Sequence, residues 1–291
     1  MASSGKQTSI LLYGLGAIGG FYAFILGRNS DVSLSVVARS NYEAVKQNGL
    51  KIQSENHGEH LIRPSGVFKS PAEAGRTFDY VVCAHKALNQ DSVPPQLEPV
   101  VGKDTTLVII QNGVGNEVPF RKHFPDCTII SCVTWVGATQ TKPGVIKHTK
   151  SEAAEFGLFS NSRLDSKLEQ SRLDEFTTLL RNGGTKFTVE ENIQVKRWEK
   201  VVWNAAWNPL TTLTMIDTQT WLKSSPEAMP MTRQLMQEVI DVAKRCDVPL
   251  SYDLIDTLID KILAMPGIGS SMQTDAKEGG RLKLMLSWGH Q

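Results

Sequence analysis

The sequence has no run of apolar residues long enough to cross a lipid bilayer, which takes about 20 consecutive apolar residues. The first residues, MASSGKQTS, also lack the apolar stretch of a secretory signal peptide. Both absences argue against a membrane-spanning protein and against a secreted one. We therefore expect a cytoplasmic protein with no membrane partner.

Cysteine is scarce, and the four cysteines show no CxxC or metal-ligand spacing; they are Cys83, Cys127, Cys132 and Cys246. Such a pattern excludes a disulfide scaffold and gives no sign of a metal site. We expect reduced thiols that behave as small buried hydrophobic residues, and no bound metal.

An excess of one charge sign is also absent, because 31 Lys and Arg residues stand against 30 Asp and Glu residues. A net charge of +1 provides no general attraction to nucleic acid. The hydrophobic share of 41% and the length of 291 residues are typical of a globular protein with two domains. We expect a small-molecule partner and no nucleic acid.

A glycine-rich loop follows the first apolar run. Residues 9–13, SILLY, predict a strand, and residues 20–26 predict an apolar helix. Between them Gly14 permits a tight turn, Gly16 lets a pyrophosphate approach the backbone, and Gly19 lets the helix pack on the strand. The whole loop is assigned to a dinucleotide cofactor: Gly14, Leu15, Gly16, Ala17, Ile18 and Gly19.

The second predicted strand, residues 32–38, ends in Arg39. In a dinucleotide-binding fold, the residue at this place reads the ribose, and an acidic residue there selects NAD. An arginine can instead pair with the 2′-phosphate of NADP. Arg39 therefore predicts NADPH as the cofactor, and Ser40 and Asn41 offer additional donors.

Two more buried strands end in polar residues. Residues 78–84 lead into His85 and Lys86, and residues 105–110 lead into Gln111 and Asn112. Sites in open α/β sheets lie beyond the carboxyl ends of the strands. Lys86 and Asn112 are therefore assigned to the cofactor, whereas a single histidine at a strand end is more often structural.

The stretch 198–210, WEKVVWNAAWNPL, predicts a helix that places Lys200, Asn204 and Asn208 on one face. A polar row on an apolar helix is either the solvated face of a surface helix or the wall of a site. Asparagine is a poor helix former, which favours the site. Pro209 should bend the helix.

The pattern predicts an α/β fold with a Rossmann-type, doubly wound parallel sheet, followed by a smaller all-helical domain. We place the NADP-binding domain at residues 1–188 and the helical substrate domain at 189–291. Beyond residue 193 no convincing strand pattern remains, and helices are predicted at 193–208, 227–245 and 252–263.

Five stretches carry a family resemblance: GLGAIGG at 14–20, HKAL at 85–88, QNGVGNE at 111–117, KVVWNAAWNPLTT at 200–212 and SSMQTD at 270–275. With these motifs, in this order, the chain resembles the ketopantoate reductase (2-dehydropantoate 2-reductase) family. The resemblance implies NADPH-dependent reduction of a 2-oxo acid to a 2-hydroxy acid. The default substrate would be 2-dehydropantoate, reduced to pantoate in pantothenate biosynthesis.

The resemblance also implies residue roles. Lys200 would be the general acid, Asn204 and Asn208 would hold the substrate, and Ser271 would meet its carboxylate. Asn112 would touch both cofactor and substrate. Arg39 and Lys86 match positions near the adenosine phosphate.

The chain departs from the family pattern near its end, where Lys283 stands in place of a glutamate and the chain stops earlier than in the family. We expect this departure to weaken activity. This departure leaves a non-catalytic NADPH-binding regulator open. A reductase of another branched 2-oxo acid, such as 2-ketoisovalerate in secondary metabolism, also stays open, because the sequence does not reveal the apolar wall of the pocket. The sequence leaves a monomer and a homodimer equally open.

Overall fold

The structure is a computed structural model that describes residues 7–277 and Gly279. The chain divides into two compact units: unit 1 comprises Met1–Asn112 and Asn116–Ile193, and unit 2 comprises Gly113–Gly115 and Gln194–Gln291. The predicted domain boundary at 188/189 falls inside a short strand of unit 1. Lys283 lies outside the described residues.

The strands of the described residues are β1 Thr8–Tyr13, β2 Val32–Val37, β3 Leu50–Ser54, β4 Gly58–Ile62, β5 Gly66–Phe68, β6 Tyr80–Cys83, β7 Thr106–Ile110, β8 Thr128–Thr134, β9 Ala138–Lys142, β10 Val145–His148, β11 Ala154–Leu158 and β12 Thr188–Val189. The helices are α1 Ala17–Leu26, α2 Tyr42–Asn48, α3 Pro94–Leu97, α4 Val118–His123, α5 Ser166–Gly183, α6 Ile193–Thr214, α7 Thr218–Leu222, α8 Ala228–Arg245, α9 Asp253–Leu263 and α10 Ser271–Lys277.

Unit 1 is built on an eight-stranded sheet in the order β12-β11-β8-β7-β6-β1-β2-β5. Every neighbouring pair is parallel except β11 with β8, which is antiparallel. All residues of β7 and β8 are buried, as expected for strands covered on both faces. The predicted α/β fold with a parallel sheet is confirmed.

Helices cover both faces of this sheet. Because side chains alternate along a strand, Ile10 and Leu12 of β1 join one core and Leu11 joins the other. The first core includes residues of α1 and α5, and the second includes Leu97 of α3 and Phe120 of α4. All four cysteines are free thiols; Cys83, Cys127 and Cys132 are buried as expected, whereas Cys246 is exposed.

A second, four-stranded sheet in the order β4-β3-β10-β9 also belongs to unit 1. The sequence indicated short strands at 50–68 and a hairpin at 139–148, but not their pairing. β10 pairs in parallel with β3, although the two strands are far apart in the sequence. Gly20 of α1 allows close packing here, because a Cβ at that position would lie 2.5 Å from Cγ1 of Ile146.

The described part of unit 2 is helical, which confirms the predicted helical domain. Its core is formed by apolar side chains of α6, α8 and α9, among them Trp198, Trp207, Met236, Ile240 and Ile259. The helix α6 continues through Pro209 to Thr214, six residues beyond its predicted end at 208. None of the helices in the described part of the chain is long and apolar enough to span a membrane.

Candidate active site

The strand ends of unit 1 lie level with one another. Tyr13 pairs with both Val37 and Cys83, and Cys83 pairs with Ile109. The residues that follow these strands therefore share one edge of the sheet. That edge carries the glycine loop and three of the predicted cofactor residues, Arg39, Lys86 and Asn112.

The three glycines of the loop serve different needs. Gly14 has φ +103°, and a Cβ there would lie 2.5 Å from the backbone nitrogen of His85. A Cβ on Gly19 would lie 1.9 Å from the carbonyl oxygen of Gly14. Gly16 precedes the ten-residue helix α1 with an ordinary φ of −87°, and a Cβ there would meet no atom within 4 Å. The fold thus requires Gly14 and Gly19 but leaves open space at Gly16.

The rest of the loop is fixed by Asn41, which the sequence suggested as a donor to the cofactor. Its Nδ2 donates to the carbonyl oxygen of Leu15 and to Oε1 of Gln140. Its Oδ1 accepts from Nε2 of Gln140 at 3.0 Å and from the backbone nitrogen of Gly144 at 3.3 Å. Both donors of Asn41 are used inside the protein, so the expectation that it serves a ligand is wrong.

The charged residues of this edge lie in solvent. Arg39 and Lys86 are exposed, as is Asn112, whose carbonyl oxygen accepts from Nδ2 of Asn116 at 3.0 Å. The pKa of the half-buried Tyr13 is raised, chiefly by burial, while the positive charge of Arg39 partly opposes the rise. Arg39 therefore places its charge near the end of β1.

Sequence reasoning missed a buried set of polar side chains beneath this edge, which we call the amide–imidazole network: His85, Gln90, Gln111 and Asn116. Gln111 Nε2 donates to the carbonyl oxygen of His85 at 2.9 Å and lies 3.0 Å from Nε2 of its ring. Gln90 Nε2 donates to Oε1 of Gln111 at 2.6 Å and to the carbonyl oxygen of Asn116 at 3.3 Å. The signal in the sequence was a polar residue directly before both Lys86 and Asn112.

Burial keeps the His85 ring neutral. It lowers the pKa of the imidazole from its ordinary 6.5 to about 4, the positive charge of Arg39 lowers it further, and a hydrogen bond with Gln90 partly opposes the shift. The ring also contacts the Tyr13 ring edge-on, with 4.9 Å between centroids. His85 is thus a neutral, buried histidine at the cofactor edge.

In unit 2, α6 carries the predicted polar row. Lys200 is 9% exposed, and Asn204 and Asn208 are half-buried on the same face. Arg197, three residues before Lys200, is 1% exposed, and its Nη1 donates to the carbonyl oxygen of Gly113 at 2.7 Å. Sequence reasoning overlooked Arg197, although its spacing places it beside Lys200 on the helix.

Ser271 begins α10 and is exposed. The residue before it, Ser270, accepts a hydrogen bond from Thr211 of α6 at 2.8 Å. Gln273 donates to the carbonyl oxygen of Thr211, also at 2.8 Å. Because Thr211 lies one turn beyond Asn208, these contacts hold Ser271 near the predicted substrate residues of α6.

The other features that could mark a functional site are cavities and clusters of metal-ligating side chains. A surface cavity of about 710 Å³ lies between the amino ends of β1 and β6 and the helix α5, and none of the predicted site residues lines it. Among the described residues, no group of three or more His, Cys, Asp or Glu side chains could hold a metal ion.

Replacing Gly19 with alanine should lower the free energy of unfolding by about 3 kcal/mol or more, because the new methyl group would overlap a backbone carbonyl. Gly16→Ala is the matched control, and its effect should stay within about 1 kcal/mol. Urea unfolding of the two variants measures the difference. Equal destabilisation would show that the open space at Gly16 is not real.

The neutral state of His85 predicts a dependence of stability on pH. The pKa of His85 is about 4 in the folded protein and about 6.5 in the unfolded chain. Between these two pH values the unfolded chain binds more protons than the folded protein, so lowering the pH from about 6.5 to 4 destabilises the fold. Such a shift is worth about 3 kcal/mol. When the pH is lowered from 7 to 4, the free energy of unfolding should therefore fall by about 3 kcal/mol less in His85→Gln than in the wild type. An equal loss in both proteins contradicts the assignment.

The comparisons with known proteins agree along most of the chain. The family profile described as "Ketopantoate reductase PanE/ApbA" matches residues 10–161, and "Ketopantoate reductase PanE/ApbA C terminal" matches residues 192–284. A 2-dehydropantoate 2-reductase of Nostoc sp. is 26% identical over 274 residues, which cover 94% of this chain and 84% of the relative.

Solved structures are similar as well. The crystal structure of 2-dehydropantoate 2-reductase from Methylococcus capsulatus has a TM-score of 0.83 and 33% identity, covering 94% of this chain and 86% of that one. A ternary structure of D-mandelate dehydrogenase with NADH and anilino(oxo)acetate has a TM-score of 0.81 at 20% identity, with the same coverage, and shows likeness of fold alone. Because both family profiles match and the 2-dehydropantoate 2-reductases are similar along most of the chain, the chain belongs to the ketopantoate reductase family of oxidoreductases.

Proposed function

We propose that the protein is an NADPH-dependent 2-oxo acid reductase, with 2-dehydropantoate as its substrate. The observation that carries this proposal is the row of Lys200, Asn204 and Asn208 along one face of α6, with Lys200 buried. Lysine side chains are seldom buried to this extent, so a buried lysine beside two carboxamides supports a binding or catalytic role. The substrate names of the Nostoc and Methylococcus relatives support 2-dehydropantoate.

The edge of unit 1 fits a dinucleotide. Open space at Gly16 leaves the amino end of α1 accessible, and the free N–H groups and dipole of a helix start favour a pyrophosphate. Arg39 and Lys86, both exposed, suit the remaining phosphate charge of NADPH. Leu15, Ala17 and Ile18 complete the loop. Asn112 offers an amide at the end of β7.

NADPH, when bound, would supply the hydride that reduces the ketone carbon of the substrate. Lys200 donates a proton from Nζ to the oxygen that becomes the hydroxyl group, and its charge stabilises the developing alkoxide. Asn204 and Asn208 orient the substrate through their amide groups. Ser271 donates its hydroxyl hydrogen to the substrate carboxylate.

The direct test is oxidation of NADPH, followed at 340 nm, with 2-dehydropantoate and a panel of other 2-oxo acids that includes 2-ketoisovalerate. The highest kcat/KM should be found with 2-dehydropantoate. A higher kcat/KM with another 2-oxo acid would identify that acid as the substrate and would leave the proposed reaction unchanged. Cofactor binding without turnover of any acid would leave a non-catalytic NADPH-binding regulator.

Arg39→Ala should weaken NADPH binding by about tenfold to a hundredfold and leave NADH binding nearly unchanged, because only NADPH carries the 2′-phosphate. Fluorescence titration with each cofactor measures both affinities. Arg63→Ala, which removes another exposed arginine of unit 1, is the control and should change neither. Equal weakening of both cofactors by Arg39→Ala would remove the assignment to the 2′-phosphate.

Gly16→Ala should weaken NADPH and NADH alike, since the added methyl group would occupy the space that the pyrophosphate needs. We expect a loss of about tenfold or more in affinity. The circular dichroism spectrum and the unfolding midpoint should remain those of the wild type. Unchanged affinity for both cofactors would place the pyrophosphate elsewhere.

Lys200→Ala should lower kcat by about a hundredfold or more while NADPH binding is kept. Lys196→Ala is a matched control on the same helix, where Lys196 pairs with Glu199 at 3.0 Å, and it should retain near-normal turnover. Asn208→Ala should mainly raise the KM for the 2-oxo acid. If Lys200→Ala keeps normal turnover in a folded protein, the polar row is a packing feature.

A further inference from the structure

The amide–imidazole network lies where two loops leave the sheet. β6 ends at Cys83 and β7 at Ile110, so the loops that follow no longer have the hydrogen-bond ladder of the strands. Three backbone carbonyl groups in these loops instead accept hydrogen bonds from buried side-chain amides. They are the carbonyls of His85, Asn112 and Asn116.

Each amide orientation follows from its partners. Nε2 of Gln111 lies 2.9 Å from the carbonyl oxygen of His85, which can only accept, so the nitrogen of Gln111 must face it. Nε2 of Gln90 is likewise fixed by two acceptors, Oε1 of Gln111 and the carbonyl oxygen of Asn116. The network therefore has one consistent arrangement of its amide groups.

That arrangement selects one tautomer of His85. Nε2 of the ring lies 3.0 Å from Nε2 of Gln111, which is a donor, and 3.3 Å from Oε1 of Gln90. The shorter contact favours an Nε2 that accepts from Gln111, with the ring proton on Nδ1. Nδ1 is buried and has no hydrogen-bond partner within the described residues, so the choice of tautomer depends on the contacts of Nε2 with Gln111 and Gln90.

His85 also contacts the third loop of the same edge. The backbone of His85 lies against Gly14 so closely that a Cβ on Gly14 would overlap it. His85 therefore joins the glycine loop, the loop that bears Lys86 and the loop that bears Asn112.

We propose that His85, as the Nδ1–H tautomer, and its partners Gln90, Gln111 and Asn116 form a positioning network that sets the cofactor-binding loops of unit 1. The inference rests on the proposed function, in which Lys86, Asn112 and the glycine loop bind NADPH. His85 itself does not take part in the reaction. It acts through the backbone that carries Lys86 and through Gln111, which precedes Asn112.

The tautomer is measured first, on the wild-type protein without cofactor. Long-range proton–nitrogen NMR of ¹⁵N-histidine-labelled protein at pH 7, with His85→Gln to assign the signal, distinguishes the two forms. We expect a protonated Nδ1 and an unprotonated Nε2 that accepts a hydrogen bond. An Nε2–H tautomer, or a charged ring, overturns the proposal.

Two substitutions then separate the two sides of the ring. His85→Gln places an amide oxygen near the position of Nε2, where it can accept from Gln111, whereas His85→Asn is too short to reach Gln111. We expect His85→Asn to raise the Kd for NADPH about tenfold or more and His85→Gln to raise it less than threefold. In both variants kcat at saturating NADPH should stay within about twofold of the wild type.

The outcomes separate this proposal from the proposed function. If the wild type binds NADPH and turns over, but both variants bind NADPH equally well or equally poorly, the network has no positioning role. If kcat falls while the Kd is unchanged, His85 acts in the reaction instead. If the wild type binds no nicotinamide cofactor, the proposed function itself fails. Should neither variant fold, Asn116→Ala, which removes the bond to the Asn112 carbonyl, must raise the Kd in the same way.

Discussion

The close approach of the glycine loop to the chain that follows β6 sets the geometry of unit 1. The backbone of His85 occupies the space where Gly14 would carry a side chain, and the carbonyl group of Gly14 occupies the corresponding space at Gly19. Backbone atoms cannot move aside as a flexible side chain can. The start of α1 is therefore packed directly against the chain that follows β1 and β6, with no room for side chains at Gly14 and Gly19.

Such close packing buries polar groups, and the buried side-chain amides hydrogen-bond to one another and to the backbone. Asn41 uses all of its donors and acceptors to hold the glycine loop against the β9–β10 hairpin. Gln90, Gln111 and Asn116 do the same for the loops after β6 and β7. Hydrogen bonds between buried amides contribute little to the net free energy of folding, but removing one partner leaves a buried polar group unsatisfied and destabilises the fold considerably. They therefore specify the positions of loops, while the apolar core supplies most of the stability.

Unit 2 uses the same principle on a helix. The polar row of α6 includes a buried lysine, and the fully buried Arg197 on the preceding turn donates to the Gly113 carbonyl. At the other end of α6, Thr211 binds the start of α10 through Ser270 and Gln273. The side chains proposed to hold the substrate thus project from two helices that are tied together by hydrogen bonds, which reduces the freedom of Ser271 relative to Asn208.

The sequence by itself determined those features that depend on neighbouring residues. The strand–glycine–helix start, the apolar strands β6, β7 and β8, the polar row of α6 and the change from an α/β to a helical pattern all follow from local periodicity. The family resemblance followed from the same short motifs, and the profile matches bear it out. The end of α6 was placed too early, because the helix continues past the exposed Pro209 into the buried residues Leu210 and Thr211.

Only the tertiary structure decided which polar residues are used internally and which remain available. Asn41 and His85 look alike in sequence, each being a polar residue just beyond a strand, as do Arg39 and Lys86. Asn41 and His85 are buried and Arg39 and Lys86 are exposed because partners distant in the chain, Gln140 and Gln111, lie beside the first two. The pairing of β3 with β10 is of the same kind. Contacts between distant segments leave no periodic trace in the sequence, so only the folded chain reveals them.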